Sequence, residues 1–338
     1  MEKIILNSPL DMHLHLRDEQ MLKNVAKFSS EQFAGGLIMP NLVPPVTTKE
    51  SVLAYKNRIL EAVGNIDFNP YMSVFFSDQY DESFLSELKD EILVVKLYPS
   101  GVTTNSENGV KSLNLDKIGK TLEAMQKLNI PLSIHGETNG FVLDREKEFL
   151  EVYELLAKEF PKLKIIMEHL SSKESVELLE KHDNLFATIS LHHMLITLDD
   201  VIGGSLNPFN FCKPVVKTPA DREVLKNIAL NAHEKVMFGS DSAPHLKSNK
   251  VFNGSAGVFT APVLLQGLTQ IFDENNKLDN LQKFVSDNAQ KIYGITPPKR
   301  EITLIKKEFK TPSSYFENSA QEIVPFMASE SFNWSLDI

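Results

Sequence analysis

The side chains best suited to metal chemistry stand at the ends of five short apolar segments. When parallel strands close into a barrel, their carboxyl ends meet on one face, so ligands that are far apart in the sequence become neighbours. Imidazole and carboxylate groups together hold divalent cations. The pattern therefore predicts one metal centre that performs chemistry. The predicted ligands are His13, His15, Lys96, His135, His169 and Asp241.

His13 and His15 can hold one ion between them. Residues two apart in a strand point to the same side, with Cα atoms roughly 6.5–7 Å apart. A His-x-His pair is weak evidence when it stands alone. Here Asp11 precedes the pair and Arg17 and Asp18 follow it, at the exit of the first predicted strand.

Lys96 interrupts an apolar run between Val95 and Leu97. An unpaired buried ammonium is costly, and burial lowers its pKa. One interpretation is a lysine whose amine reaches solvent from a strand end. The other is a neutral amine that captures carbon dioxide as a carbamate, an anion with two oxygens that can bridge two metals. With two divalent ions, a carbamate, Asp241 and one hydroxide leave a net charge of about +1, which suits an anionic substrate.

Composition limits the classes of partner. The chain has 338 residues and a net charge of −10, which disfavours nucleic acid and anionic membranes as partners. Cys212 is the only cysteine, so an internal disulfide and a thiolate zinc site are excluded. Residues 1–9 do not resemble a signal peptide, and no apolar run approaches the roughly 18 residues of a membrane span. We expect a cytoplasmic protein.

Apolar runs alternate with amphipathic stretches along most of the chain. Continuous rather than alternating hydrophobicity favours parallel strands that are buried on both faces. Eight strands with intervening helices predict an α/β fold, a (β/α)8 TIM barrel over residues 1–296, with a C-terminal extension over 297–338 packed on it. A doubly wound sheet is the alternative, but it requires a glycine-rich turn after the first strand. The predicted strands are 10–15, 35–41, 69–76, 92–98, 131–136, 164–169, 185–190 and 235–241, the predicted helices are 49–62, 114–128, 145–159, 172–182 and 219–232, and short strands are expected at 302–309 and 332–336.

Read in order, these segments resemble the dihydroorotases of the amidohydrolase superfamily, most closely the stand-alone bacterial type. Each motif is weak by itself, and the ordered set is specific. The likeness extends from the first strand to Val324–Phe326 and Trp334. The matching segments are Asp-Met-His-Leu-His-Leu-Arg-Asp (11–18), Met-Pro-Asn-Leu-Val-Pro-Pro-Val-Thr-Thr (39–48), Val-Lys-Leu-Tyr-Pro (95–99), Thr-Thr-Asn-Ser (103–106), Ile-His-Gly-Glu (134–137), Glu-His (168–169) and Gly-Ser-Asp-Ser-Ala-Pro-His (239–245).

The resemblance implies two zinc ions per chain. His13, His15 and Asp241 would hold one, His135 and His169 the other, and a carboxylated Lys96 would bridge them. Asp241 would also be the catalytic acid and base. The implied reaction is the reversible cyclisation of N-carbamoyl-L-aspartate to L-dihydroorotate in pyrimidine synthesis.

The resemblance also implies the substrate contacts. Arg17, Asn41 and His245 would recognise the substrate carboxylate, and Thr103 and Thr104 would belong to a loop that closes over the ligand. Main-chain groups near three further residues would contact the pyrimidine ring. The lysine at position 213 departs from the family pattern, in which this position is apolar. These three residues are Lys213, Ala256 and Gly257.

Two other functions compete with this one. A hydantoin- or dihydropyrimidine-opening amidase would share the metal ligands but would not require a carboxylate pocket built from Arg17 and Asn41. A non-catalytic barrel that serves as an assembly partner would be expected to lose ligands, and here all six are present. A homodimer is one assembly that the sequence allows without requiring it. We assign His192 and His193 no ligand role, because they break the pattern of one ligand at each strand end.

Overall fold

A computed structural model describes residues 2–337 and contains an eight-stranded parallel barrel. The barrel strands follow one another around the sheet in chain order, so each helical connection returns the chain to the neighbouring position. The (β/α)8 prediction and all eight predicted strand positions are confirmed. The barrel strands are β2 (Leu10–Leu14), β3 (Gly35–Ile38), β4 (Asn69–Phe75), β5 (Val94–Leu97), β6 (Leu132–Ile134), β7 (Ile165–Met167), β8 (Leu185–Ile189) and β9 (Val236–Phe238).

The barrel closes just beyond β9, where the chain meets the end of β2. The Asp241 amide donates to the His13 carbonyl at 2.9 Å, and the His15 amide donates to the Ser242 carbonyl at 3.1 Å. Gly239 permits this approach, because a Cβ there would lie 2.9 Å from the Cβ of His13. The closure therefore brings the last predicted ligand beside the first two.

Helices cover the outside of the barrel, and several of them begin at a side-chain cap. Thr48 and Ser51 form a reciprocal capping box, as do Thr218 and Asp221, which satisfies backbone amides that would lack partners. The predicted helices are found within about two residues of their expected ends. The helices are α1 (Glu19–Ser30), α2 (Lys49–Val63), α3 (Glu82–Leu88), α4 (Leu115–Leu128), α5 (Arg145–Glu159), α6 (Lys173–Lys181), α7 (Leu191–Leu195), α8 (Asp199–Ile202), α9 (Pro219–Leu230), α10 (Lys247–Phe252), α11 (Leu264–Glu274), α12 (Leu278–Gln282) and α13 (Asn288–Tyr293), with 3-10 turns at Pro208–Asn210 and Ala261–Val263 and a π-helical turn at Lys283–Asp287.

Two apolar clusters surround the place where the ligands meet. The larger one fills the layer between the strands and the helices. The smaller one gathers early residues of several strands and leaves the carboxyl ends of the strands to polar side chains. Apolar packing below and around the polar end is the arrangement that holds ligands rigidly. The smaller cluster contains Leu10, Met12, Leu37, Met39, Val94, Ile166, Met237, Ala289 and Ile292.

The chain after residue 296 forms a small antiparallel sheet together with the N-terminus. β10 (Glu301–Ile305) pairs with β1 (Lys3–Asn7), a strand that sequence analysis missed, and with β13 (Ser335–Leu336). β11 (Phe309–Lys310) pairs with β12 (Ser331–Phe332), so each of the two predicted C-terminal strands is split into two shorter ones. Because the extension shares a sheet with the first residues, the domain boundary at 296 stays a prediction. Within residues 2–337, every helix is too short or too polar to cross a membrane.

Trp334 tests whether this extension stabilises the barrel. Its side chain is fully buried, and its indole N–H donates to Asp273 of α11 at 3.0 Å. We expect Trp334→Ala to lower the free energy of unfolding by about 3–5 kcal/mol, measured by urea denaturation. Phe252→Ala is the control, since Phe252 is 83% exposed. If the two variants were equally stable, the C-terminal extension would not contribute to the stability of the barrel.

Candidate active site and metal centre

The six predicted ligands lie together at the carboxyl ends of the barrel strands. His13 and Lys96 belong to β2 and β5, and the other four directly follow a strand or come within three residues of its end. All six side chains are buried, with His15, the most exposed, at 9%. His169 and Asp241 have φ angles of 40° and 45°, a left-handed backbone that turns each side chain away from its strand direction.

The spacing of the ligand atoms suits a tetrahedral ion. Ligand atoms at 2.0–2.1 Å from a zinc ion are about 3.3 Å apart. His15 Nε2 lies 3.2 Å from Asp241 Oδ1, and His13 Nε2 lies 3.5 Å from the same oxygen. His135 Nδ1 and His169 Nε2 are 3.2 Å apart. The two groups of ligands that the sequence predicts therefore each present their atoms at the spacing of one coordination sphere.

Unsatisfied buried atoms mark the same place. His13 Nε2 and Lys96 Nζ have no hydrogen-bond partner within residues 2–337. Ligand atoms of His13, His169 and Asp241 lie within 4.8 Å of one another. An orphaned buried polar atom is unfavourable, and a cation supplies the missing partner. The donor set of imidazoles and carboxylate fits a divalent metal.

Hydrogen bonds behind the ligands fix their orientation. His13 Nδ1 lies 2.8 Å from Glu168 Oε2, and His15 Nδ1 lies 2.9 Å from Asn41 Oδ1. The carboxylate or amide oxygen accepts a hydrogen bond from the Nδ1–H of each ring, so Nε2 keeps its lone pair toward the cluster. Glu168 is itself held by the hydroxyls of Ser133 and Thr188.

Burial keeps the imidazoles neutral. It lowers the pKa of His13 and places the pKa values of His15 and His169 well below the usual range. A neutral ring is the form that binds metal. The pKa of Glu168 responds differently: burial raises it, but His13 and Lys96 outweigh that effect and lower it to about 2.

Lys96 is the most unusual of the buried groups. Its side chain has no exposed surface, so the amine does not reach solvent as one interpretation of the sequence allowed. Burial lowers its pKa to about 8, against the opposing attraction of Glu168 and Asp241. The amine is therefore partly neutral near physiological pH, which is the nucleophilic form.

A cavity of about 350 Å³ opens above the ligands. Every predicted site residue lines it except Lys96 and His245. Sequence analysis missed two lining residues, Tyr98 and Ala243. Tyr98 lies two positions beyond the predicted ligand Lys96 of β5, so the two-residue period of a strand could have identified it. Ala243 follows the left-handed turn at Asp241, where that period does not hold.

Arg17 lines the cavity, and His245 contacts Arg17 from outside the cavity lining. Arg17 Nη2 lies 3.1 Å from His245 Nε2, and Arg17 Nε donates to the Pro244 carbonyl at 3.2 Å. Arg17 has a φ of 59°, and its carbonyl accepts from the Tyr55 hydroxyl at 2.7 Å. These contacts hold the guanidinium while leaving part of its donor fork free for an anion.

The loop that contains Thr103 and Thr104 covers the cavity. Thr104 Oγ1 donates to the Ala256 carbonyl at 3.2 Å, and Asn41 Nδ2 donates to the Thr104 carbonyl at 3.0 Å. Asn105 Nδ2 donates back to the Asn41 carbonyl at 3.0 Å. Asn41 thus ties the loop to the His15 side chain, and the second N–H of its amide remains available to a ligand.

The remaining predicted contacts also line the cavity, and Ala256 among them is the residue that anchors the loop. Lys213, which is half-buried, lines the cavity together with Ala256 and Gly257. Gly257 has a φ of 146°, and a Cβ there would lie 2.6 Å from the Ala243 carbonyl oxygen. Only glycine fits this position, so the main chain itself forms the wall.

A second buried cluster joins His192, His193 and Cys212. Both ring nitrogens of His193 are already used, Nδ1 with the Ser190 hydroxyl at 2.7 Å and Nε2 with the Pro214 carbonyl at 3.1 Å. Burial raises the pKa of the Cys212 thiol to about 12, so the thiolate that binds metal is disfavoured. His192 Nδ1 has no partner among the described residues, but with both His193 nitrogens engaged and the thiol protonated the cluster offers too few free ligand atoms to hold an ion.

Comparisons with known proteins agree along the whole chain. Residues 11–295 match the family model described as Amidohydrolase. A protein of Helicobacter hepaticus named dihydroorotase is 45% identical over 98% of this chain and 97% of its own length. The crystal structure of a Campylobacter jejuni dihydroorotase has a TM-score of 0.95 and 51% identity, covering 99% of this chain and 98% of that one. An Arthrobacter aurescens L-hydantoinase has a TM-score of 0.78 at 18% identity, over 99% of this chain and 83% of that one, and shares the fold alone.

Metal analysis of purified variants distinguishes the two clusters. We expect the wild type to contain a divalent metal and His13→Ala to lose most of it, because His13 Nε2 faces the cluster without another partner. His192→Ala is the matched control and should keep the wild-type content. Elemental analysis by mass spectrometry measures both. If His192→Ala lost the metal and His13→Ala kept it, the metal would belong to the cluster of His192, His193 and Cys212.

Proposed function

The chain belongs to the amidohydrolase family, and within it we propose that this protein is a dihydroorotase. It interconverts L-dihydroorotate and N-carbamoyl-L-aspartate by opening and closing the six-membered ring. The ring-opening direction is the hydrolysis of a cyclic amide, and the reaction is a step of pyrimidine synthesis. Relatives 45% and 51% identical over nearly the full chain carry that name. The observation that carries the proposal is an arginine and an asparagine that line one cavity together with the ligand cluster.

The site residues divide between two zinc ions. His13, His15 and Asp241 would hold one ion, and the facing nitrogens of His135 and His169 would hold the other. When bound, the ions would lower the pKa of a shared water and polarise the amide carbonyl. Support comes from ligand spacings of 3.2–3.5 Å and from the orphaned nitrogens.

Lys96 would complete this site as a carbamate. Its amine is fully buried, lacks a partner and has a pKa near 8. Reaction with carbon dioxide replaces a costly buried cation by an anion with two oxygens. Burial is the main cause of the lowered pKa values of His13, His15 and His169, and the positive charge of Lys96 adds to it, an effect that a carbamate would reverse.

Asp241 would move the proton of the reaction. In the hydrolytic direction, its carboxylate accepts a proton from the attacking water and delivers it to the departing ring nitrogen. Burial raises the pKa of Asp241, although His13 opposes the shift. A carboxylate that is easier to protonate than usual is suited to both halves of this transfer.

Arg17 would bind the substrate carboxylate, with Asn41 and His245 beside it. The planar guanidinium can donate two parallel hydrogen bonds to a carboxylate, which a lysine cannot reproduce. Burial, followed by the charge of Arg17, lowers the pKa of His245 to about 2, so the imidazole is neutral and contributes as a hydrogen-bonding group.

Main-chain groups at Lys213, Ala256 and Gly257 would contact the substrate ring. The loop at Thr103 and Thr104, already tied to Ala256, would exclude water.

The competing functions have less support. A hydantoin- or dihydropyrimidine-opening enzyme has no need of Arg17 in its cavity, and the hydantoinase comparison extends only to the fold. A non-catalytic assembly partner would not need an intact ligand cluster around a cavity. A homodimer and a cytoplasmic location remain predictions from the sequence.

Substrate selectivity tests the role of Arg17. The wild type should hydrolyse dihydroorotate and leave dihydrouracil, which lacks the carboxylate, nearly untouched. Arg17→Ala should raise KM for dihydroorotate roughly ten- to hundredfold, because a charge-assisted pair contributes about 1.5–3 kcal/mol. Steady-state kinetics on both compounds provides the measurement. Arg222→Ala, which alters a surface ion pair with Glu223, is the matched control. An Arg17→Ala enzyme with normal KM and no turnover would count against this role.

Chemical rescue tests the carbamate. Lys96→Ala should lose activity and zinc, and millimolar propionate should restore part of both by supplying the missing carboxylate. Propionamide, which has the same shape without the charge, should restore nothing. Zinc content and dihydroorotate hydrolysis are measured together. Full activity of Lys96→Ala without any added acid would eliminate the carbamate.

A further inference from the structure

Tyr98 is a polar residue of the cavity wall that neither metal binding nor carboxylate recognition uses. It lines the cavity and is 2% exposed. Its hydroxyl has no hydrogen-bond partner within residues 2–337. An unpaired buried hydroxyl costs about 1–3 kcal/mol. A phenol is a hydrogen-bond donor at neutral pH, so an acceptor on a bound molecule would satisfy it.

The tyrosine ring is held firmly in place. It stacks on Phe75 at a centroid distance of 5.2 Å and an angle of 24°. Its backbone carbonyl accepts from the Val110 amide at 2.8 Å, which anchors the far end of the loop that begins after Tyr98. A donor that is fixed before the ligand arrives loses little freedom on binding.

Tyr98 lies on the side of the cavity that contains the second pair of histidines. Its ring stacks with His135 at 6.3 Å and 29°, and Lys96 Nζ lies 5.1 Å from the ring centroid. The carboxylate-binding side chains Arg17 and His245 come instead from the loops after β2 and β9. Tyr98 and Arg17 thus enter the same cavity from different strand ends, so one bound ligand can contact both.

We propose that Tyr98 is a further catalytic residue, whose hydroxyl donates a hydrogen bond to the carbonyl oxygen of the reacting ring amide. The inference rests on the proposed function. As the amide carbon becomes tetrahedral, negative charge grows on that oxygen and the hydrogen bond strengthens. The phenol keeps its proton, and no covalent bond to Tyr98 forms or breaks. Such a donor stabilises the transition state more than the ground state.

Other tyrosines provide the contrast. The hydroxyls of Tyr71 and Tyr293 also lack partners. Both residues pack against the smaller apolar cluster inside the barrel, and neither lines the cavity. A missing partner alone thus does not indicate function. Tyr98 differs from them because its unpaired hydroxyl belongs to a side chain that also lines the cavity and stacks with His135.

Tyr98→Phe removes only the hydroxyl and tests the assignment. We expect kcat for dihydroorotate hydrolysis to fall about a hundredfold, and at least tenfold, with KM within threefold and with the zinc content and thermal midpoint of the wild type. Tyr293→Phe is the matched control and should leave kcat unchanged.

Three results would overturn the assignment. A smaller loss of kcat would mean that the hydroxyl does not act on the transition state. A raised KM with normal kcat would assign it to ground-state binding, and a loss of zinc would assign it to the metal centre. Wild-type protein that fails to hydrolyse dihydroorotate would instead contradict the proposed function, so the two failures are distinguishable.

Discussion

The closure of the barrel between its last and first strands is the constraint on which the site depends. Asp241 and His13 are joined by a backbone hydrogen bond of 2.9 Å, and the same contact places a carboxylate oxygen 3.2 Å from His15 Nε2. Asp11 reinforces the junction, because its carboxylate accepts from the Ser240 amide at 2.8 Å. Without closure, residues more than 220 positions apart would not share a coordination sphere.

Around this junction the fold tolerates groups that a protein core normally excludes. Lys96 and several imidazole nitrogens are buried without partners, and burial shifts their pKa values away from the charged form. The surrounding apolar layers hold these groups in position despite the cost. A site that is unfavourable when empty is favourable when cations and an anionic substrate supply the missing interactions.

Two histidine clusters at the same end of the barrel have different chemistry because their neighbours differ. His13 and His15 each give one nitrogen to an oxygen behind them and keep the other for a ligand. His193 gives both nitrogens to Ser190 and Pro214. The two clusters therefore differ in how many ring nitrogens are free: His193 has none, whereas His13 and His15 each keep one that faces Asp241.

The sequence by itself determined the eight strands and the fold class and predicted which residues would meet at the strand ends, because strands buried on both faces give continuous apolar runs that end in polar residues. Only the tertiary structure decided that the amine of Lys96 is sealed from solvent and that β1 joins the C-terminal extension. It also decided that Tyr98 lines the cavity without a partner. Burial, pairing across the chain and unsatisfied hydrogen bonds depend on contacts between distant segments, and local sequence patterns do not specify such contacts.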